Sequence, residues 1–331
     1  MKVGIVGLGV GEAHIKGYSS HPQAEVIALC DFNSEVLAKA KKNYPNMIST
    51  EKADDIFENA DVDAVSIASY DNDHFQQIIK AIENDKHIFV EKPLCLYEKE
   101  ARIIRAKLAE KPYLKLSSNL ILRKCQRFIA LKDKIVNNEM GSVFHIEGDY
   151  NYGRLHKITE GWRGQIDFYS VVYGGGVHII DLMLWMTGKK VVEVHGFGNN
   201  LASQGSQYKY NDSITCILRF DDGMTGKVSV HYGCVRPHFH NFNVFGTKAT
   251  FINQKEQGLY YNSMDPDAQV EKMTQPYPGV HKGDLIHSFV EAIVNDKQAD
   301  VSTEDVFSAM SVCFAIEESI KSAKPQHVNY I

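Results

Sequence analysis

A lysine between a glutamate and a proline is the first feature of this sequence that could do chemistry. The apolar run "HIFV" predicts a buried strand, and it continues directly into Glu91, Lys92 and Pro93. Proline keeps the preceding residue extended, and an X–Pro peptide bond can also be cis, so the direction of Lys92 is restricted. Ligands of open α/β sheets bind at the carboxyl ends of the strands, where a lysine can have a lowered pKa. Lys92 is therefore a candidate catalytic residue, and a surface lysine that happens to precede a proline is the alternative.

A histidine and an aspartate three residues apart form a second reactive group. His178 and Asp181 lie in "GGGVHIIDLMLW", which predicts a helix, and residues three apart share a helix face. Oxidising an alcohol removes a hydride from carbon and a proton from oxygen, and histidine titrates in the range needed to take that proton. The charge of Lys92 would favour the developing alkoxide, and Asp181 could orient the imidazole. The alternative is a core histidine between Val177 and Ile179 with satisfied hydrogen bonds.

A glycine-rich turn follows the first predicted strand. Gly7, Gly9 and Gly11 occur in "GLGVGEAH", with Val10 between the last two. Glycine lets the backbone approach a pyrophosphate, whose charge the N–H groups at a helix N-terminus then stabilise. The spacing is one residue shorter than GxGxxG. We expect these four residues to bind a dinucleotide, and a tight turn without a ligand is the alternative.

An acidic residue at the end of the second predicted strand favours NAD over NADP. Asp31 lies about 20 residues beyond the glycine turn, where a carboxylate can bind the adenosine ribose hydroxyls and repel a 2′-phosphate. Phe32 follows it, with no arginine to bind that phosphate. The expected cofactor is therefore NAD, and the alternative for Asp31 is a carboxylate that caps a helix or a turn.

Three segments in the second half of the chain offer aromatic and cationic side chains to a substrate. Aromatic rings suit sugars, and the guanidinium group binds phosphate or carboxylate through two parallel hydrogen bonds. The candidate substrate contacts are Tyr152, Arg154, Trp162, Arg163 and Arg236. Arginines that face water and a tryptophan that only packs against the sheet are the alternative. His238 and His240 share a predicted strand face without a third ligand, so we expect a solvent-facing or interface strand and no metal site.

Two patterns of secondary structure are expected to position these residues. Over residues 1–120, predicted strands alternate with helical patterns of about 10–15 residues, which is typical of βαβ units and a parallel sheet. Beyond residue 120, longer strands form hairpins with turns at "DDG" and "GTK", and two helices follow. The prediction is an α/β protein with a Rossmann dinucleotide-binding domain at 1–120. An α+β domain at 121–331, with a large and mainly antiparallel open sheet, would bind substrate and form oligomers.

Local residue preferences predict three helix starts. The first helix is expected from about Glu12 to Ser20, after the glycine turn. Ser34 is the expected N-cap of the second helix. Ser302 and Asp305 have capping-box spacing at the start of the last helix.

The overall composition excludes several classes of partner. The chain has 331 residues, a net charge of −5 and scattered Lys and Arg, so no basic surface for nucleic acid is expected. No apolar run approaches the roughly 18 residues of a membrane helix, and the N-terminus has no signal-peptide pattern. We therefore expect a cytoplasmic protein. The six cysteines form no CxxC pair and lie mostly in apolar segments, which favours buried free thiols.

Together these motifs resemble the Gfo/Idh/MocA oxidoreductases, named for glucose–fructose oxidoreductase, inositol dehydrogenase and a rhizopine-catabolism protein. The similar segments are the glycine turn, "VEKPL", "SYDNDH" at 69–74 and "GGGVHIIDLMLW" at 174–185, and the resemblance covers essentially the whole chain. It implies that Lys92 is the active-site lysine beside the nicotinamide, that Glu91 supports it and that His178 is catalytic. It also implies dinucleotide binding by the segment from Ser69 to His74, and dimers or tetramers formed through the C-terminal sheet.

This sequence departs from the family pattern at one catalytic position. The pattern D-x-G-x-H-x-x-D places its histidine on His178, and Gly176 and Asp181 fit as well, but its first aspartate falls on Gly174. In the inositol-dehydrogenase branch that aspartate partners the histidine. Its absence therefore argues against a plain inositol dehydrogenase.

The sequence supports one main function and two alternatives. The main prediction is an NAD-dependent dehydrogenase or ketoreductase acting on a ring hydroxyl or ketone. The substrate would be a sugar, a sugar derivative such as a nucleotide sugar or uronic acid, or a cyclitol. The first alternative is a glycoside hydrolase that works by transient oxidation with retained NAD. The second is a non-catalytic NAD-binding sensor, because Gly174 lacks a catalytic side chain.

Overall fold

A computed structural model describes residues 1–331, which form two compact units. The first unit contains residues 1–121, 281–307 and 331, and the second contains residues 122–280 and 308–330. The predicted boundary placed segment 281–307 in the second domain, whereas the structure includes it in the first unit. The reason is apolar packing, since the ring of Phe289 lies 5.5 Å from that of Phe89 in the parallel sheet.

Six parallel strands form the sheet of the first unit. They are β1 (Lys2–Val6), β2 (Glu25–Cys30), β3 (Ile48–Thr50), β4 (Ala64–Ile67), β5 (His87–Val90) and β6 (Leu116–Ser118). Their order is β3-β2-β1-β4-β5-β6, the arrangement of a dinucleotide-binding Rossmann fold. The predicted parallel sheet is confirmed. Strand β3 was not predicted, because three residues are too few to show a period.

Nine strands form the sheet of the second unit. They are β7 (Val143–Asn151), β8 (Val191–Asn199), β9 (Ser213–Phe220), β10 (Thr225–His231), β11 (Phe239–Gly246), β12 (Thr250–Asn253), β13 (Gly258–Tyr261), β14 (Glu271–Met273) and β15 (Gln326–His327). Their order is β14-β13-β12-β11-β7-β10-β9-β8-β15. Every neighbouring pair is antiparallel except β7 and β10, which run parallel. The predicted, mainly antiparallel sheet is confirmed.

Ten α-helices accompany the two sheets. They are α1 (Leu8–Ser19), α2 (Ser34–Asn43), α3 (Asp54–Phe57), α4 (His74–Glu83), α5 (Glu98–Glu110), α6 (Gln126–Val136), α7 (His156–Thr159), α8 (Val177–Thr187), α9 (Ile286–Val294) and α10 (Thr303–Ser322). No helix combines the length and the apolar character needed to span a membrane.

The first helix begins earlier than predicted. Gly7 turns the chain with a φ of 86°, and α1 starts at the next residue, Leu8, rather than at about Glu12. The glycines of this segment had predicted a turn. Most of the glycine-rich segment is therefore the first turn of a helix, with its N–H groups at the carboxyl edge of the sheet.

The two predicted caps have different outcomes. The N-cap of α2 is Asn33 rather than Ser34, because the Asn33 side-chain oxygen accepts two N–H groups of the first turn at 3.0 and 3.2 Å. The capping box of α10 is confirmed. Ser302 Oγ accepts the Asp305 N–H at 3.2 Å, and the Asp305 carboxylate accepts the Ser302 N–H at 2.8 Å.

The helix that carries His178 is buried on nearly all sides. A π-helical segment, Val172–Gly176, leads directly into α8, and an apolar surface around a whole helix is typical of a core position. At Gly148 in β7 a Cβ would lie 2.5 Å from Cγ2 of Ile179, so glycine allows this strand and helix to pack closely. The helix is therefore held firmly against the sheet.

Candidate active site

Gly7 lies where β1 meets α1, and its position requires glycine for two reasons. Its φ of 86° is in the left-handed region, which side chains disfavour. A Cβ would also lie 2.5 Å from the carbonyl group of Ala68, at the end of β4. Gly7 therefore lets two neighbouring strand ends approach closely.

The other two glycines of the turn have different surroundings. A Cβ on Gly11 would lie 2.9 Å from Cγ2 of Ile5, so Gly11 allows α1 to pack on β1. A Cβ on Gly9 would meet no atom within 4 Å, and both Gly9 and Val10 are exposed. No internal contact explains the glycine at position 9. The open space in front of the first N–H groups of α1 fits the pyrophosphate of a dinucleotide.

Asp31 lies at the carboxyl end of β2 and is 8% exposed. Its Oδ2 accepts the N–H of Leu8 at 2.8 Å, and its Oδ1 accepts the N–H of Asn33 at 2.9 Å. The carboxylate thus stabilises the N-terminus of α1. This is the helix-capping role that was the alternative interpretation of Asp31. Each carboxylate oxygen can accept a second hydrogen bond, so ribose binding is compatible with this role.

Two exposed aromatic side chains lie beside Asp31 at this edge of the sheet. Phe32 is 70% exposed and Tyr70 is 37% exposed, and their rings meet edge to face at 5.6 Å. Ser69 Oγ donates to Oε1 of Gln77 at 2.7 Å, which ties the segment after β4 to α4. Exposed rings at this position can pack against the adenine of a dinucleotide.

Lys92 is half-buried after the carboxyl end of β5, and its peptide bond to Pro93 is cis. His74 is fully buried at the start of α4, with Nδ1 2.7 Å from the carbonyl oxygen of Pro93. His74 was predicted to bind the cofactor. Its contact with Pro93 holds the backbone next to Lys92.

Glu91 is buried in a cluster of polar and charged groups. Its Oε1 accepts a hydrogen bond from Nδ2 of Asn119 at 2.7 Å. The same oxygen lies 3.3 Å from His14 Nε2 and 3.8 Å from Lys282 Nζ. Burial by itself would raise the pKa of Glu91. The charge of Lys282, the hydrogen bond to His14 and the charge of Lys92 instead lower this pKa to well below its usual value. Glu91 is therefore ionised at neutral pH and supplies a fixed negative charge to Lys92.

Three members of this cluster are not among the predicted site residues: His14, Asn119 and Lys282. His14 Nδ1 also lies 2.9 Å from Ser66 Oγ, and Asn119 Nδ2 also donates to the carbonyl oxygen of Lys282 at 3.0 Å. Only Asn119 carries a local signal, because it ends the strand-like run "YLKLSSN". The other two come from distant parts of the chain.

In the second unit, His178 lies in an aromatic cluster formed with Tyr150, Tyr152, Tyr232 and His238. His178 is 5% exposed, and its ring is nearly parallel to that of Tyr150, at 16° and 6.1 Å. The Tyr150 ring lies 5.6, 6.4 and 4.9 Å from those of Tyr152, Tyr232 and His238. The strand ends of β7, β10 and β11 thus bring imidazole and phenol groups together.

Asp181 forms an ion pair with Arg123, which the sequence did not predict. Its Oδ2 accepts a hydrogen bond from Nε of Arg123 at 3.0 Å, and its Oδ1 accepts one from Nη2 of Arg123 at 2.6 Å. Both side chains are buried. We expected Asp181 to orient the imidazole of His178. The structure engages it in a bidentate ion pair with Arg123, which anchors α8 one turn beyond His178.

Two of the candidate arginines approach the aromatic cluster. The guanidinium carbon of Arg154 lies 5.1 Å from the Tyr152 ring, and that of Arg163 lies 4.4 Å from the Trp162 ring. Burial raises the pKa of Tyr150, and both arginine charges act against that shift. Positive charges from two separate segments therefore favour the ionised form of Tyr150.

Arg236, His238 and His240 have different environments. Arg236 is exposed, and its guanidinium carbon lies 5.0 Å from the Phe239 ring. His240 is buried, with Nδ1 2.8 Å from Oη of Tyr277. The expectation of a solvent-facing or interface strand face is therefore wrong for His240, because Tyr277 and the Tyr150 ring cover it.

The strand order of the first sheet defines a dinucleotide-binding Rossmann unit. Residues 1–118 match the family model described as an oxidoreductase family with an NAD-binding Rossmann fold. Residues 128–252 match the C-terminal domain model of the same family. The chain belongs to the Gfo/Idh/MocA oxidoreductases, which confirms the resemblance.

Similar proteins span nearly the full length of this chain. The myo-inositol 2-dehydrogenase of Thermotoga maritima is 22% identical over 338 residues, which cover 98% of this chain and 97% of that protein. The structure of a levoglucosan dehydrogenase in complex with NADH has a TM-score of 0.88 at 21% identity and covers 100% of both chains. Glycosyl hydrolase family 109 protein 1 of Bacteroides fragilis is 25% identical over 283 residues, covering 74% of this chain and 59% of that protein. Because these names differ in substrate and reaction, the similarities identify the family and no substrate.

Proposed function

We propose that this protein is an NAD-dependent dehydrogenase or ketoreductase acting on a ring hydroxyl or ketone of a sugar, a sugar derivative or a cyclitol. The observation that carries the proposal is the buried cluster around Glu91. It keeps a negative charge next to Lys92 at the strand end where dinucleotide-binding folds bind their ligands. The names of the inositol and levoglucosan dehydrogenases support a carbohydrate or cyclitol substrate.

The residues of the first unit would hold the cofactor as follows. The N–H groups beside Gly9 would bind the pyrophosphate, Asp31 would bind the adenosine ribose, and Phe32 and Tyr70 would flank the adenine. When bound, NAD supplies the acceptor for a hydride. The open space at Gly9 and the lone pairs left on Asp31 support this assignment.

The charged and titratable residues would then stabilise the substrate hydroxyl oxygen and accept its proton. Lys92 would stabilise the developing alkoxide by its positive charge, and Glu91 would hold that charge in place. His178 would take the hydroxyl proton as general base. Asp181, through its ion pair with Arg123, would keep α8 and therefore His178 in position.

The two convergent arginines favour an anionic carbohydrate. The charges of Arg154 and Arg163 both lower the pKa of Tyr150, and a guanidinium group suits a carboxylate or phosphate better than a neutral hydroxyl. Tyr152 and Trp162 offer aromatic surfaces for the sugar ring. A uronic acid or a nucleotide sugar therefore fits these residues better than a neutral cyclitol. Arg236 would contribute at the periphery.

A substrate screen with a catalytic control tests the proposed reaction. The purified protein is first examined by native mass spectrometry for retained NAD(H). It is then assayed for NADH formation with sugars, uronic acids, cyclitols and nucleotide sugars. We expect turnover with at least one class, greatest for an anionic sugar, and none with the His178→Asn variant. A screen without turnover in either direction of the reaction would overturn the proposal.

The cofactor preference has its own test. NADH and NADPH are titrated by fluorescence against the parent protein and an Asp31→Ser, Phe32→Arg double variant. We expect the parent to bind NADH more tightly, and the variant to shift the ratio of the two affinities toward NADPH. The ratio is the informative quantity, because Asp31 also supports α1. Parent protein that binds NADPH at least as tightly as NADH would contradict the assignment.

A hydrolase remains the second candidate, supported by the similarity to the Bacteroides fragilis glycosyl hydrolase. In that case NAD would be regenerated within each cycle. Release of an alcohol from an aryl glycoside without net NADH would identify this reaction. Net NADH formation from a free sugar would instead identify the dehydrogenase.

We also propose that the protein forms homo-oligomers through the open face of its large sheet. Phe197 on β8 and Ile217 on β9 are 66% and 53% exposed, and they point to the same face because Phe197 pairs with Thr215. Exposed apolar side chains on a sheet face are typical of an interface between subunits.

A further inference from the structure

Three consecutive glycines come directly before Val177 and His178, and other side chains fill the space that their own would need. A Cβ on Gly175 would lie 2.6 and 2.7 Å from ring carbons of Tyr150. A Cβ on Gly174 would lie 1.9 Å from the hydroxyl oxygen of Tyr169 and 2.8 Å from that of Tyr232. No aspartate or other side chain therefore fits at position 174, because two phenol groups occupy its place.

These two tyrosines form a buried pair of hydroxyl groups. The hydroxyl oxygens of Tyr169 and Tyr232 are 2.8 Å apart, and the residues are 1% and 2% exposed. Burial raises the pKa of Tyr232 well above its usual value, so its hydroxyl stays neutral. One of the two hydroxyls donates to the other, and the hydrogen of the second can then serve a third group.

The hydroxyl pair lies on the face of the helix that carries His178. Gly174 is four residues before His178, and residues four apart on a helix are neighbours, about 5–6 Å between Cβ atoms. The hydroxyls occupy the position of that neighbour. Tyr150 contacts all parts of this arrangement. It packs against Gly175, its ring lies 6.4 Å from the Tyr232 ring, and it is nearly parallel to the His178 ring.

We propose that the Tyr169–Tyr232 hydroxyl pair orients the imidazole of His178, in the place where a carboxylate one turn earlier would otherwise stand. The proposal deepens the proposed function, since it assigns positioning residues to the group that takes the proton. The pair presents only neutral hydroxyl groups on this side of the helix, so it adds no negative charge. An anionic substrate is then not repelled from the site, which agrees with the two arginines nearby.

The test removes each hydroxyl and leaves the ring. Tyr169→Phe and Tyr232→Phe each break the same hydrogen bond, so either variant is sufficient if the other folds poorly. Tyr208→Phe is the matched control, because Tyr208 is also a buried tyrosine whose hydroxyl donates only to the backbone carbonyls of Tyr169 and Asn211, at 3.1 and 3.3 Å. With a substrate from the screen, we expect kcat to fall about tenfold or more in both variants.

Three further readouts separate positioning from general destabilisation. KM and NADH affinity should stay close to parental values, and the double variant should be no slower than the slower single variant, because the hydroxyls act as a unit. The third readout is the 15N NMR spectrum of histidine-labelled protein, with the His178 signals assigned by their loss in His178→Asn. These signals should show one neutral tautomer in the parent and in Tyr208→Phe, and a mixture in both hydroxyl variants.

The NMR readout is independent of turnover, so the two proposals can fail separately. Unchanged His178 signals in both hydroxyl variants would overturn the positioning role, whatever the activity. Altered signals in a protein that turns over no carbohydrate would support the positioning role and overturn the proposed reaction.

Discussion

At the scale of single residues, the fixed charge of Glu91 determines what Lys92 can do. Asn119, His14 and Lys282 hold Glu91 in place. The charge of Lys92 adds to those that keep Glu91 ionised. In the proposed function, Lys92 uses this positive charge to stabilise an oxyanion.

Lys92→Met tests this role while keeping a side chain of similar length. We expect kcat to fall by about 10²-fold or more, because one preorganised group at a developing oxyanion contributes about that much. NADH affinity, measured by fluorescence titration, should change little. Lys99→Met, an exposed lysine on α5, serves as the control. Parental kcat in Lys92→Met would exclude the lysine from the reaction.

At the scale of secondary-structure elements, two glycines of α1 separate a packing role from the proposed binding role. Gly11 has Ile5 against it, whereas Gly9 has open space in front of it. A substitution at each position therefore separates packing from ligand binding. Both positions are in the first turn of the same helix, so effects of helix propensity are similar.

Gly9→Ala should weaken NADH binding and leave the fold at least as stable. Alanine fits the site without a clash and restricts the unfolded chain, which stabilises by about 0.4–1 kcal/mol. Its methyl group would lie where the pyrophosphate must approach the backbone. Thermal unfolding without cofactor and NADH titration together measure both effects. Gly11→Ala should instead lower Tm, and a Gly9→Ala protein with parental NADH affinity would place the pyrophosphate elsewhere.

Strand β11 contains a histidine that should make stability depend on pH. Burial, with a smaller contribution from His238, lowers the pKa of His240 from 6.5 to about 3. The unfolded chain therefore takes up a proton first, and stability is lost as pH falls from about 6.5 toward 3. The slope is about 1.4 kcal/mol per pH unit for one proton. Urea unfolding from pH 7 to pH 4 should show a steeper loss for the parent than for His240→Gln, and parallel curves would rule out His240 as the cause.

The sequence reveals the elements of this fold more readily than the partners of its side chains. Alternating apolar strands, amphipathic helices and the strand-end position of Lys92 are local patterns, and each could be read directly. The pairs Arg123–Asp181, Tyr169–Tyr232 and His14–Glu91 join residues that are 58, 63 and 77 positions apart. Such contacts arise only when strands and helices pack, so no period or spacing in the sequence reports them.

At the scale of the whole molecule, the open face of the nine-stranded sheet is the proposed interface between copies of the protein. Ile217→Lys would place a charge within the apolar part of the proposed interface, where burying it without a partner is costly. We expect light scattering after size-exclusion chromatography to give a smaller species than the parent protein. Val235→Lys, in an exposed position outside the strands, is the control and should not change the mass. An unchanged mass for Ile217→Lys would place the interface elsewhere.

The strands at the two edges of that sheet have a consequence for the handling of the protein. β14 has three residues and β15 has two, so the strand at each edge of the sheet is short. The short β15 pairs with Val194 and Glu193 of the nine-residue β8, and Tyr330 Oη bonds the backbone of Val191. Loss of residues 325–331 by proteolysis would free this paired part of β8 as well. The whole strand, which carries the exposed ring of Phe197, would then be an open edge. Such an edge can template fibrillar aggregation, so an intact C-terminal tail is expected to decide the shelf life of purified preparations.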